Sequence, residues 1–89
     1  MGTTDTELSF QRFRTLAIVL KDFVEVQPGG PVFKSPLLDE LNACIEEPRK
    51  LTLTKISRKI GLVQGVLIAK GLTTPQKEDA RNARFLVNE

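Results

Sequence analysis

The sequence predicts a mainly α domain closed by a small β-hairpin, an α+β fold made of one domain over residues 1–89. Three observations lead there. Apolar residues recur at helical spacing from Leu8 to Val26 and again from Leu37 to Ile45. Pro and Gly punctuate the chain at Pro28-Gly29-Gly30-Pro31, Gly61 and Gly71. From Leu72 onward, short apolar runs flank a charged stretch, as the strands and loop of a hairpin would.

The elements follow in order. Phe10, Phe13, Ala17, Leu20 and Val24 keep the i, i+3, i+4, i+7 spacing of a helix over 8–26. A second stripe of Leu16, Val19 and Phe23 runs beside the first. So wide an apolar surface suits either a central helix or one that packs on a second subunit. Residues 27–35 form a loop, and Ser35-Pro36 reads as an N-cap followed by Pro at N1. The next helix carries Leu37, Leu38, Leu41, Cys44 and Ile45 until Pro48 closes it. Leu51-Thr52-Leu53-Thr54 suits a very short strand leading into a helix, with Thr52 the first choice of N-cap and Thr54 the other. That helix turns Leu53, Ile56 and Ile60 inward and ends at Gly61. Val63 to Lys70 follows as a short helix stopped by Gly71. Leu72-Thr73-Thr74 and Ala83-Arg84-Phe85-Leu86-Val87 are the two strands of the expected hairpin, and Pro75 fits only an edge or a turn.

Composition excludes more than it specifies. The chain has 89 residues, a single cysteine, and neither histidine, tryptophan nor tyrosine. A His-dependent triad and a Cys/His zinc site are therefore excluded, and Cys44 cannot form an internal disulfide. We expect a binding protein, not an enzyme, with no cofactor or metal, in a reducing compartment such as the cytoplasm. Cys44 falls on an apolar helix face and reads as a small core residue. Asp39, Glu40, Glu46 and Glu47 read as a solvated face. No stretch is apolar for long enough to span a membrane, and the first residues lack the pattern of a signal peptide. Met1 to Thr6 fits the loose myristoylation pattern, but no basic cluster adds a second membrane signal.

The net charge of +2 conceals a division. Residues 1–47 hold four basic and eight acidic side chains, a net of −4, whereas residues 48–89 hold nine and three, a net of +6. One half suited to a polyanion and another facing protein or solvent is the expectation.

The order of helix, short strand, helix, Gly turn, helix and hairpin is that of a winged helix-turn-helix. Ile56 would anchor the first helix, Ser57 is small at the crossing, Gly61 makes the turn, Leu62 plugs it and Leu67 secures the second helix. Leu51 to Glu89 resembles the winged-helix core of MarR-type bacterial transcription regulators, with a shortened recognition helix. Lys70-Gly71-Leu72-Thr73-Thr74 looks like the family's entry to the wing. Asp79-Ala80-Arg81 and Ala83 to Val87 look like its wing and return strand. The resemblance implies residues 36–89 as a winged-helix core and a homodimeric regulator on double-stranded DNA.

Expected phosphate contacts are Lys55, Arg58, Lys59, Thr73 and Thr74. The resemblance places Lys77, Arg81 and Arg84 at a minor-groove or backbone contact of the wing. Gln64 and Lys70 are the polar reach of the second helix, with Gln64 for a base edge. A solvated surface is the plain alternative for each cation, and an Asp79 pairing is the alternative for Arg81. Phe13, Leu16, Val19, Leu20 and Phe23 are the expected dimer interface. A second reading keeps the fold but docks the apolar Val63–Lys70 helix on a protein partner.

Overall fold

The structure, a computed structural model, describes residues 2–86, with side chains from Glu7 onward. Four helices make up the fold: α1 (Gly2–Val26), α2 (Pro31–Glu46), α3 (Leu53–Ala69) and α4 (Pro75–Leu86), with a 3₁₀ turn at Pro48–Lys50. Among the described residues there is no strand, so the expected α+β fold with a hairpin wing is replaced by a small helical bundle.

Helix α1 is the spine. Its 25 residues, at about 1.5 Å each, account for most of the 43 Å long axis. It touches all three other helices, which is why it carries two apolar stripes. Leu16, Ala17, Leu20 and Val24 are fully buried, and they meet Leu37, Leu41 and Cys44 of α2 with Ile56, Ile60, Val63 and Leu67 of α3 in one core. Phe10, Phe13 and Phe23 close over that core from its edges. The open choice between a central helix and a dimer helix is thus answered inside the protomer for Leu16 and Leu20.

The α1–α2 loop turns at Gly29, whose φ of +125° favours glycine. A Cβ there would meet the Phe33 ring at 3.1 Å, a second reason for its absence. Helix α2 begins with Gly30 as N-cap and Pro31 at N1, five residues before the expected Ser35-Pro36 start. Pro36 lies inside the helix, in an exposed stretch where solvent can meet the carbonyl that its missing N–H leaves without a partner. At the far end, Arg14 Nε donates to Ile45 O at 2.8 Å and satisfies a carbonyl of the last turn.

Residues 51–54 do not form a strand. Leu51 is extended, but its N–H donates to Pro48 O at 3.1 Å and closes the 3₁₀ turn, and Thr52 caps α3 by accepting from Lys55 N at 3.1 Å. The helix then continues through Gly61 without a break to Ala69. The expected turn is absent because nothing there requires one. Gly61 is exposed, helical and bordered by open space, and Leu62, expected to plug the turn, is 54 % exposed. Without that turn there is no helix-turn-helix.

The true stop is Gly71, at φ +76°. Gly71 N donates to Ile68 O at 2.9 Å and Leu72 N to Leu67 O at 3.0 Å, the paired bonds of a Schellman motif. Residues 75–86, expected as wing loop and return strand, form α4. Thr74 accepts from Lys77 N at 3.1 Å and Pro75 occupies N1, a standard helix start. Val87, the last residue of the expected return strand, lies outside the described residues.

Continuity at Gly61 has a measurable consequence. Gly61→Ala should stabilise the protein by roughly 0.5–1 kcal/mol, since Ala is the better helix residue and its Cβ meets nothing. Urea unfolding followed by circular dichroism reads this directly. A loss of stability would place a turn at residue 61.

Candidate functional site

The second half of the chain is rich in cations, and α4 brings several of them together. From Pro48 to Lys77 the sequence contains seven basic residues and no acidic one. The first carboxylate after that run, Glu78, is only 3 % exposed. Burying an unpaired carboxylate would be prohibitive, and here its oxygens are well supplied. Thr73 Oγ1 donates to Oε2 at 2.7 Å and Gln64 Nε2 donates to Oε1 at 3.1 Å. Arg81 Nη1 reaches both oxygens, at 3.0 and 2.9 Å. Gln64 Nε2 also donates to Asn82 Oδ1 at 2.8 Å. This network joins α3, the following loop and α4, and it fixes the rotation of α4 about its own axis.

That rotation turns Lys77, Arg81 and Arg84 toward α1. These three residues, with Val19, Ala80 and Phe85, line an open cleft of about 530 Å³. A neighbouring hollow of about 280 Å³ shares Arg84 and Phe85 and adds Leu8, Gln11, Arg12 and Thr15 of α1. Positions 77, 81 and 84 fall on one helical face and span roughly 10 Å along the axis. Arg81 also stacks on Phe23, with its guanidinium carbon 4.7 Å from the ring centroid. Lys77 and Arg84 are exposed and have no carboxylate partner among the described residues.

The other residues singled out in the sequence are dispersed. Lys55 and Arg58 are exposed on α3 and have no carboxylate partner among the described residues. Lys59 Nζ donates to Glu40 Oε1 at 2.6 Å, and this bond holds its ammonium above the ordinary lysine pKa. Lys70 lies over the Phe33 ring at 5.3 Å. Gln64 and Thr73 are buried in the Glu78 network, and Thr74 is engaged as the α4 cap. Arg81 pairs with Glu78 and not with Asp79. Of the expected dimer residues, Leu16 and Leu20 are fully buried, Phe13 and Phe23 pack on the core, and Val19 lies in the cleft.

Sequence reasoning missed Glu78, Asn82, Arg12 and the cleft role of Phe85. One signal was available: Thr74-Pro75 has the same Ser/Thr-Pro form that reads as a helix start at Ser35-Pro36. The inner face of α4 is polar, so apolar periodicity passes over it.

Cys44 is fully buried, and burial pushes its thiol from 9.0 up to about 11. Among the described residues no group of His, Cys, Asp and Glu side chains could hold a metal ion. No helix among them is long and apolar enough to cross a membrane. Compared with protein-family models, curated proteins and solved structures, the chain matches none. With no family match and no wing, the resemblance to MarR-type regulators does not hold.

Two expectations follow. Glu78→Ala should cost about 3 kcal/mol in urea unfolding, because Gln64, Thr73 and Arg81 lose their common acceptor; a change within 0.5 kcal/mol would show that the network does not hold α4. The Cys44 thiol should resist Ellman's reagent at pH 8 in the native protein and react fully in denaturant. Its raised pKa means that the unfolded chain ionises first. Its contribution is therefore complete below pH 9 and is lost as pH rises through about 11. A Cys44→Ala variant should lack that part of the alkaline loss in a stability–pH profile.

Proposed function

We propose that this protein is a non-enzymatic nucleic-acid-binding protein that grips the phosphate backbone with the cations of the α1–α4 cleft. The observation that carries the reading is the alignment of Lys77, Arg81 and Arg84 on one face of α4 beside an open cleft. Phosphate contacts supply affinity without reading sequence. That suits a protein in which Gln64, the amide expected at a base edge, is buried among its own partners. The acid-free run from Pro48 to Lys77 adds long-range attraction for a polyanion. Lys55 and Arg58 extend the positive potential over α3. A reducing cytoplasm agrees with a single buried thiol. No second copy of the chain is needed, since each cation of the cleft comes from one protomer.

A protein-binding role is the second reading, and the outer side of α3 favours it. Gly61 and Gly65 leave that side open around the half-exposed Leu62, a surface on which a partner helix could lie close.

Salt separates the two. Binding to labelled random-sequence DNA should weaken linearly on a log–log plot as salt rises. The double substitution Lys77→Gln/Arg84→Gln should lower the magnitude of the slope by about 1.4 to 1.8, from 0.7 to 0.9 per phosphate contact. Fluorescence anisotropy across a salt series measures it. Absence of binding at low salt, or a slope untouched by the double substitution, would remove the cleft as a nucleic-acid site.

A further inference from the structure

Resting on that reading, we infer that the ligand of the cleft is single-stranded nucleic acid, with one base stacked on the Phe85 ring. Phe85 is half-buried and belongs to the walls of both hollows, so it stands where a chain running along the α1–α4 groove would pass from one to the other. Cations border both hollows on which that ring opens: Lys77, Arg81 and Arg84 line the first, and Arg84 also lines the second.

Size and free base faces decide between one strand and two. A hollow of about 530 Å³ is in the range of small-ligand pockets, about 300–1,000 Å³, and takes a nucleotide or two of a single strand. Duplex DNA can meet Lys77 and Arg84 with its phosphates, but its base faces are stacked inside the helix, and it offers none to the Phe85 ring unless a base is flipped out. The linings suit bases as well. Val19 and Ala80 offer an apolar floor to a ring face, while Gln11 and Thr15 offer hydrogen-bonding groups to a ring edge. A positive groove with an aromatic platform is the general chemistry of sequence-tolerant single-strand binding.

The test uses the whole chain at low salt, with fluorescein-labelled oligo(dT) and a duplex of the same length. Oligo(dT) should bind several-fold more tightly than duplex. Phe85→Leu, which keeps an apolar side chain against the core, should weaken oligo(dT) by at least about fivefold and leave duplex binding unchanged. Phe85→Trp should restore single-strand affinity and show quenched fluorescence on binding, a readout that packing alone would not move. Circular dichroism of each variant establishes that it is folded. Equal or tighter duplex binding, with Phe85→Leu silent, would overturn the single-strand assignment and leave backbone binding intact. Failure to bind either nucleic acid, together with binding of an acidic amphipathic peptide that Lys77→Gln/Arg84→Gln abolishes, would overturn both.

Discussion

The architecture turns on one buried carboxylate. Glu78 could not remain in the interior of so small a protein without compensation, because a desolvated charge costs several kcal/mol even after relaxation. Its partners come from three places: Gln64 on α3, Thr73 in the loop, and Arg81 one turn further along α4. Backbone contact between α3 and α4 is otherwise sparse, so these side chains carry much of the connection. A hydrogen-bonded charge is directional where apolar packing is not. The network therefore sets which face of α4 meets α1, and with it the position of every cation in the cleft.

The apolar core answers a different requirement. A chain of 89 residues buries a modest fraction of its surface, and it concentrates that burial on a single long helix. By giving α1 two stripes, the sequence lets one element serve three neighbours, and the interior forms one continuous cluster. The ion pairs around it contribute less. Lys50 with Glu47, and Arg49 with Glu7, have exposed basic partners in water, where such contacts are worth at most about 1 kcal/mol. What they do is neutralise cations near the 3₁₀ turn. Lys55 and Arg58 on α3, and Lys77 and Arg84 on α4, keep no carboxylate partner among the described residues.

This distribution links the fold to the proposed activity. Cations that the sequence presents as one population separate into two. Lys59 and Lys70 are engaged with Glu40 and Phe33, whereas Lys77 and Arg84 border open space. Arg81 belongs to both groups: it anchors Glu78 through Nη1 and still lines the cleft. Stability and binding therefore meet at that residue, and the cleft's electrostatics can be altered cleanly only through its two neighbours.

Much was legible in local sequence. The apolar stripes of α1, the Thr52 cap, the Gly71 stop, the core position of Cys44 and the segregation of charge each follow from short-range chemistry that the fold leaves in force. Three features were decided by tertiary contacts. Gly61 permits a turn but does not impose one, and α3 continues because Val63, Gln64 and Leu67 find buried partners on the helical register. Ser35-Pro36 was outcompeted by Gly30-Pro31, because Gly29 seats against Phe33 and begins the helix earlier. Residues 75–86 read alone as a charged loop and the start of a return strand, since the fully buried side chain of this helix, Glu78, is polar. Only Gln64 and Thr73, brought close by folding, make that side chain satisfiable and hence the segment helical. Local rules determine elements whose partners are water or their own backbone. Where a buried polar group needs partners distant along the chain, the three-dimensional arrangement decides.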